Sequence, residues 1–189
     1  MKMKAILMSI RPQWCEKIFN GEKTIEVRKT APKLETPFTV YVYETKTTDI
    51  EHYDGCDIKY YGRGKVIGSF VCDRIDEYAY ATIACAKFEV NGAEVAEHKR
   101  YNAGACLTAE EMFEYSNGKS LYGWHITETK LFDKPRKLSE FRTPFACETG
   151  KEIGCWNDYC KNHNFDCVRR VNKRITRPPQ SWCYVEEEK

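Results

Sequence analysis

The sequence predicts a small β-barrel with a few flanking helices, a fold of the all-β or α+β class. Short segments that alternate apolar and polar residues recur along the chain, whereas only two segments carry clear helix signals. The hydrophobic fraction of 42% and the aromatic fraction of 13% are sufficient for a packed core. The length of 189 residues suits one domain with an elaboration.

The first half of the chain predicts three strands and one helix. Lys4–Ile10 has the apolar character of a buried strand, and Pro12 then stands near the first position of a helix that ends at Asn20-Gly21. Residues 24–29 predict the second strand. Phe38–Glu44 alternates valines with tyrosines, which predicts a half-buried strand whose aromatic side faces outward or into a cleft.

The chain from residue 65 onward predicts two further strands around a helix. Lys65–Cys72 alternates as a strand does, but residues 76–106 fit a hairpin or a short helix equally well. Thr108, followed three residues later by Glu111, forms a capping box, which predicts the start of a helix. The alternation from 121 to 132 predicts a long strand.

One octapeptide, Gly21 to Arg28, concentrates more polar chemistry than any other stretch. Side chains two apart in a strand share a face, so Glu26 and Arg28 project to one side and the apolar residues beside them project to the core. The preceding Asn-Gly turn can swing the amine of Lys23 toward the same polar face. These three side chains either hold an anion or a nucleobase, or form an ordinary ion pair on a surface strand.

Composition narrows the class of protein. No apolar run approaches the roughly 18 residues that span a bilayer, and the first residues do not resemble a signal peptide, so we expect a cytoplasmic protein that does not enter membranes. The ten cysteines are then expected to be mostly reduced thiols. A net charge of +2 does not by itself indicate that the protein binds nucleic acid. Only the distribution of charge along the chain can indicate such binding.

Four fragments of the chain match a known family in sequence order. They are Ser9–Trp14, Gly21–Arg28, Gly64–Gly68 and Leu121–Ile126. Together they resemble the ASCH (activating signal cointegrator homology) domain, a member of the PUA-like superfamily. The octapeptide matches the family signature G-x-K-x-x-E-x-R at every fixed position.

The extent of this resemblance predicts the domain organisation. It covers residues 4–145 and resumes at 177–185. We therefore expect a PUA-like ASCH barrel over residues 1–145, a cysteine-rich and basic insertion over 146–176, and the closing strand with an acidic tail over 177–189.

The resemblance also implies a function. It implies a five- or six-stranded barrel with a cleft lined by Lys23, Glu26 and Arg28, and RNA or a nucleotide-like molecule as the ligand. Some relatives are enzymes, either nucleoside amidohydrolases or ribonucleases. The amidohydrolase relatives carry a catalytic threonine where this chain has Glu26, so their nucleophile is missing here.

Catalysis and binding both remain open for the signature residues. Lys23 and Glu26 are candidate catalytic residues for phosphodiester cleavage, but the neighbouring cations favour ionised Glu26 and weaken it as a base at neutral pH. Binding is favoured, because a guanidinium can hold a phosphate bidentately and aromatic rings can stack on bases. A protein-interaction adaptor is a third alternative. The candidate ligand-binding residues are Arg11, Lys23, Glu26, Arg28, Tyr43, Trp124 and Trp182.

A basic segment near the end of the chain indicates nucleic-acid binding independently of the family resemblance. Arg169–Arg177 carries five cations and no acid, a composition that can track a phosphate backbone. The alternative is a solvated loop, because three consecutive acids follow at 186–188.

A cysteine-rich stretch interrupts the resemblance between 145 and 168. Four thiols in such a stretch match the ligand number of a tetrahedral zinc site, but no C-x2-C knuckle is present. Reduced thiols in a small insertion are the favoured interpretation, and we assign no metal and no cofactor. The cysteines are Cys147, Cys155, Cys160 and Cys167.

Overall fold

The computed structural model describes residues 4–53, 55–88, 104–144, 146–147, 170–171 and 173–186. Within these ranges the chain is mostly sheet, with three α-helices and one short 3-10 helix at Leu138–Glu140. The helices are α1 (Pro12–Phe19), α2 (Tyr80–Phe88) and α3 (Ala109–Ser116). The strands are β1 (Lys4–Ile10), β2 (Ile25–Arg28), β3 (Phe38–Glu44), β4 (Thr48–Tyr53), β5 (Cys56–Tyr61), β6 (Lys65–Tyr78), β7 (Leu121–Arg136), β8 (Ala146–Cys147), β9 (Arg170–Val171) and β10 (Trp182–Glu186).

Six strands form the main sheet, in the order β10-β1-β3-β6-β7-β2. β1 and β3 are parallel, and the other neighbours are antiparallel. The expected closed barrel is wrong, because among the described residues no ladder joins β2 to β10. The amides of Thr24 and Ile25 instead donate to the main-chain oxygen of Gly104, each across 2.8 Å, so a loop occupies the start of the edge where a closing strand would pair.

The first predicted elements are confirmed and build the larger core. Pro12 opens α1, and Gly21 follows its end with a φ of +86°, a conformation that glycine adopts readily. Ile18 of α1 is fully buried against the faces of β1 and β3 that carry Met8 and Val42. Burying such a side chain contributes about 1.5–3 kcal/mol. This core fixes the sheet on which the candidate site is built.

The predicted half-buried character of β3 is wrong, because both of its faces are covered. Tyr41 and Tyr43 are each only 6% exposed. They pack in a second cluster with Phe141 and Ile175, and the ring centroids of Tyr41 and Phe141 lie 5.0 Å apart. Tyrosine alternation resembles an exposed face in sequence, because the ring is apolar and only its hydroxyl is polar.

The capping box of α3 is confirmed. The amide of Glu111 donates to Oγ1 of Thr108 across 3.1 Å, and the amide of Thr108 donates to the Glu111 carboxylate across 2.8 Å. The helix ends at Asn117, whose φ is 49°. Met112 of α3 is buried in a third cluster that also contains Val27 of β2, so α3 packs against the core side of the signature strand.

Three elements, β4, β5 and α2, lie in segments for which no clear prediction could be made from the sequence. β4 and β5 form a two-stranded antiparallel ribbon, and their frequent charged residues hide its alternation in the sequence. The ribbon is joined to α1 by an ion pair of 2.7 Å between Lys17 and Glu51. In the ambiguous stretch 76–106, residues 80–88 form α2, while 89–103 lie outside the described residues.

Most of the predicted insertion also lies outside the described residues. This includes Cys155, Cys160 and Cys167, and only the backbone of Cys147 is described, in β8. The zinc alternative and the boundaries at 146 and 176 therefore stay predictions. Across the described ranges, none of the helices has the length and hydropathy that crossing a membrane requires.

Candidate functional site

β2 displays the signature residues on one face of the sheet and buries its apolar residues on the other. Ile25 and Val27 pack in the cluster against α3. Glu26 pairs in register with Trp124 of β7, and Arg28 pairs with Tyr122. Directly paired residues share a face of the sheet, so these four side chains lie on the same side. The alternation predicted for the octapeptide is confirmed.

The three signature side chains are buried together. Lys23, Glu26 and Arg28 are 2%, 6% and 8% exposed. One carboxylate oxygen of Glu26 lies 2.8 Å from Nη2 of Arg28, and the other lies 3.5 Å from Nζ of Lys23. The alternative of an exposed surface ion pair is therefore wrong. Glu26 stands between two cations within the fold.

Main-chain and aromatic groups hold the Lys23 ammonium. Its Nζ donates to the main-chain oxygen of Ala105. It also lies 5.0 Å from the ring centroid of Trp14, a distance at which a cation is attracted to the face of an aromatic ring. The neighbouring oxygen of Gly104 accepts from the start of β2, so one segment of chain fixes both the lysine and its strand.

Arg28 reaches from β2 to the opposite end of the sheet. Its Nη2 donates across 2.7 Å to the main-chain oxygen of Ser9, a residue of β1. Its Nη1 approaches Oγ of Ser181, just before β10, across a longer distance of 3.4 Å. The arginine thus bridges edges that no backbone ladder joins in the described part of the chain.

The site holds an excess of positive charge and unsatisfied donors. With Lys23 and Arg28 protonated and Glu26 ionised, the three buried side chains carry one net positive charge. Nε of Arg28 and Nε1 of Trp124 are buried and have no hydrogen-bond partner among the described residues. Unpaired buried donors and charges are costly, so the arrangement suits a group that supplies negative charge and acceptor oxygens.

A recess of about 690 Å³ lies between the loop after β2 and strands β6 and β7, and Lys23, Glu26 and Arg28 do not line it. Two of its lining residues, Ile75 and Tyr122, pair in register with Trp124 and Arg28 respectively, so they share the face of the signature residues. The rest of the recess is formed by the loop after β2 and by polar residues of β6. These lining residues are Ala31, Pro32, Leu34, Glu35, Thr36, Arg74 and Glu77.

The aromatic candidates differ in their positions. Trp124 is fully buried, so it belongs to the wall of the site and does not offer an open face to a base. Trp182 is partly exposed, its ring centroid lies 5.7 Å from that of Trp124, and its Nε1 donates to Thr30 across 3.1 Å. Tyr43 lies in the second core cluster, away from the face that carries Glu26. The structure therefore brings Trp124 and Trp182 together but not Tyr43.

Arg11 is also separate from the signature cluster. Its side chain is 68% exposed, and its guanidinium lies 3.8 Å from the carboxylate of Asp49 in the β4–β5 ribbon. The sequence places Arg11 in a matching fragment, but no described contact links it to Lys23, Glu26 or Arg28.

Sequence reasoning missed several groups that shape the site. Ser9 and Ala105 act through main-chain oxygens, which leave no signal in residue type. Sequence reasoning also did not single out Tyr115 of α3, which is 38% exposed and whose ring centroid lies 4.8 Å from Nζ of Lys29. Burial raises the pKa of the Tyr115 hydroxyl. The charge of Arg28 lowers this pKa by a smaller amount, and the charge of Glu26 raises it by a smaller amount. The position of Tyr115 in a predicted helix was the available signal, since aromatic residues at a helix end can face a neighbouring strand.

Comparisons with known proteins agree with the fold. The family model described as "ASCH domain" matches residues 8–136, which is more than half of the chain. No curated protein matches the sequence. Three solved structures of the ASCH protein from Zymomonas mobilis are similar. A serine-to-alanine variant has a TM-score of 0.55 at 16% identity, over 97% of this chain and 89% of that chain.

The other two structures align over less of the chain. A tyrosine-to-phenylalanine variant has a TM-score of 0.49 at 18% identity, over 72% of this chain and 77% of that chain. The third structure has a TM-score of 0.48 at 17% identity, over 71% and 73% of the two chains. At these identities the likeness concerns the fold alone.

Proposed function

This chain belongs to the ASCH domain family, and we propose that it binds RNA or a nucleotide-like ligand in the cleft lined by Lys23, Glu26 and Arg28. The observation that carries this proposal is the buried cluster with one net positive charge. Both cations are at most 8% exposed, so bulk water provides little compensation for that charge. A phosphate group is a chemically suitable counter-charge.

The remaining donors of Arg28 support an anionic ligand. Nη2 is already bonded to Glu26 and Ser9, whereas Nε has no described partner and Nη1 has only the 3.4 Å contact with Ser181. Arginine has five N–H donors, so it can serve the protein and an anion at the same time. Glu26 then orients the guanidinium and moderates the positive charge of the cluster.

The recess beside the cluster supports a nucleotide in preference to a small inorganic anion. The recess is shallow and open to solvent, and its volume of about 690 Å³ is sufficient to accommodate a nucleotide. Ile75 and Tyr122 offer apolar surface for a base, and Arg74 and Glu77 offer polar groups at its edge. An anion-binding cluster next to a mixed apolar and polar recess matches the two chemical halves of a nucleotide.

Hydrolysis is the second candidate, and the contacts favour it less. Each carboxylate oxygen of Glu26 already contacts a cation, at 2.8 Å from Arg28 and 3.5 Å from Lys23, so neither is placed to accept a proton from a substrate. Glu26 also stands where the amidohydrolase relatives carry their catalytic threonine. A stable anion-binding site is therefore a better description of Lys23 and Glu26 than a catalytic pair.

The test is a comparison of Lys23→Met with the wild-type protein. This change removes the charge but keeps the length of the side chain, so the cluster becomes neutral. Binding of uridine monophosphate and of a short single-stranded RNA, measured by calorimetry, should weaken at least about tenfold, and wild-type binding should decline with added salt. Lys119→Ala, which removes an exposed cation, is the matched control.

Two results would contradict the proposal. One is wild-type protein that binds neither probe, and the other is binding that is indifferent to both salt and Lys23→Met. Incubation with labelled RNA and with N4-acetylcytidine tests the hydrolase directly. Products that the wild type forms and the Lys23→Met variant does not form would support the hydrolase. Substrates that stay intact with the wild type would exclude it.

A further inference from the structure

A second cationic surface lies outside the cleft. Lys173, Arg174 and Arg177 are exposed, and we call them the basic strip. None of the three forms an ion pair with a described residue, and no acid occurs between 173 and 181. Their charges are therefore available to a partner in solution.

Contacts with the fold hold the basic strip in place. The main-chain oxygen of Lys173 accepts from the amide of Thr143 across 2.8 Å, and the amide of Ile175 donates to Phe141 across 2.9 Å. The side chain of Ile175 is only 8% exposed within the second core cluster. The strip is thus a fixed surface, which argues against the alternative of a freely solvated loop.

The same segment runs from the second core cluster to the residues that contact Ser9 and Arg28. Oγ of Ser9 donates to the main-chain oxygen of Pro179 across 2.7 Å, and the amide of Ser9 donates to Ser181 across 2.9 Å. Ser181 is also the residue that Nη1 of Arg28 approaches. Ser181 lies eight positions after Lys173, so this path spans up to about 28 Å when extended.

We propose that the basic strip and the cleft bind one single strand of RNA, with a nucleotide in the cleft and the backbone phosphates on Lys173, Arg174 and Arg177. This inference rests on the function proposed above. A free mononucleotide carries a single phosphate group, whereas a strand of several nucleotides has a charge at every repeat that the strip can neutralise. The strip positions the strand without reading its sequence.

RNA fits this surface better than an acidic protein segment does. The path ends at the partly exposed Trp182, on which a base can stack and whose Nε1 donates to Thr30, next to the recess residue Ala31. An acidic peptide would use the cations but offers no planar group for the recess. It is therefore an outcome that the experiment has to distinguish.

The experiment compares a dodecamer of uridine with uridine monophosphate, using the full-length protein. The strip variant Lys173→Ala/Arg174→Ala/Arg177→Ala should bind the dodecamer about tenfold more weakly and the monophosphate as the wild type does. The slope of log affinity against log salt for the dodecamer should decrease by about 2, since each single-strand phosphate contact contributes about 0.7. The control Lys46→Ala/Lys59→Ala/Lys119→Ala removes three other exposed cations and should leave both affinities unchanged.

The outcomes separate this inference from the function that it extends. Equal wild-type affinities for the dodecamer and the monophosphate, or equal losses in the strip and control variants, overturn the inference and leave the cleft proposal intact. Polyglutamate that binds as tightly as the dodecamer also overturns it. Wild-type protein that binds neither uridine probe overturns both proposals. Equal melting temperatures of the wild type and the two variants establish that the comparison is made on folded protein.

Discussion

Nη2 of Arg28 donates across 2.7 Å to the main-chain oxygen of Ser9, and this contact joins two ends of the sheet that share no backbone ladder in the described residues. The same nitrogen lies 2.8 Å from Glu26. Arg28 is therefore both a structural bridge and a potential ligand contact. Its substitution should affect stability and binding together.

Arg28→Lys should lower the free energy of unfolding by about 2–3 kcal/mol, although it preserves the charge. A lysine cannot reproduce two directed contacts from one planar group, and hydrogen bonds to charged groups contribute about 1.5–3 kcal/mol each. Urea denaturation measures the change. Arg177→Lys, at an exposed position, is the control and should alter stability by less than about 0.5 kcal/mol. An Arg28→Lys protein as stable as this control would show that the bridge is unimportant.

Glu26→Gln should destabilise the free protein by about 3 kcal/mol, because it leaves two buried cations without a counter-charge. The shape of the side chain is preserved, so the effect is electrostatic. Inorganic phosphate should then raise the melting temperature of Glu26→Gln more than that of the wild type, since a bound anion replaces the lost charge. Differential scanning calorimetry at several phosphate concentrations measures both effects. A larger phosphate effect on the wild type would contradict the assignment of an anion site.

The contact between α1 and the β4–β5 ribbon should be sensitive to acid. Lys17 and Tyr60 both donate to Glu51, and these hydrogen bonds, the one from Lys17 first, lower the pKa of Glu51 below its ordinary value of 4.5. A lowered pKa in the folded state stabilises the protein above the unfolded pKa, and this stability is lost as pH falls through the folded value. Glu51→Gln should therefore cost about 1 kcal/mol at pH 7 and much less near pH 3.

Urea denaturation at both pH values checks this expectation, and Glu35→Gln is a control on an exposed loop. The hydrogen bond to Glu51 also raises the pKa of Tyr60 to about 12. The ionisation of Tyr60 itself begins only above the ordinary pKa of 10.0, so it adds no pH dependence between pH 3 and pH 7, where only Glu51 of this pair titrates. A pH-independent cost of Glu51→Gln would contradict the electrostatic explanation.

Gly104→Ala should weaken the site through its backbone. A Cβ at this position would lie 2.6 Å from Oγ1 of Thr24 and 3.1 Å from Cδ1 of Ile25, so the 104–106 segment has to shift. Overpacking of this kind costs about 1–3 kcal/mol. The shift should also displace the oxygen of Ala105 from Lys23 and reduce affinity for uridine monophosphate. Calorimetry and urea denaturation measure the two effects.

The double variant Gly104→Ala/Thr24→Ala provides the matched test. It removes the nearer of the two clashing groups, and Thr24 is exposed, so Thr24→Ala alone should be almost neutral. The double variant should recover part of both the stability and the affinity. No recovery in either measurement would show that crowding at Thr24 is not the cause.

The sequence predicted the elements whose signals are local. Pro12 and Gly21 delimit α1, Thr108 and Glu111 delimit the start of α3, and the alternation of the octapeptide places Glu26 correctly on the polar face. Each of these signals lies within a few residues of the feature that it predicts. Pattern and capping chemistry therefore suffice for them.

The sequence did not predict the features that depend on contacts between distant segments of the chain. Tyr43 is buried because Phe141 and Ile175, distant in sequence, cover its face of β3. In the described residues, the oxygen of Gly104 and not another strand accepts from the amides at the start of β2. Neither of these contacts leaves a signal in the sequence next to Tyr43 or next to β2. Residue type alone also could not show that Glu26 would meet both cations within the fold.

The oxygen that holds the Lys23 ammonium belongs to the backbone of Ala105. Replacing the Ala105 side chain cannot delete this acceptor, because every amino acid carries the same carbonyl group. The contact is consequently tolerant of changes in residue identity at 105 and vulnerable to changes in the path of the chain. Insertions, deletions or substitutions that move the 104–106 segment are therefore the changes that alter how Lys23 is held.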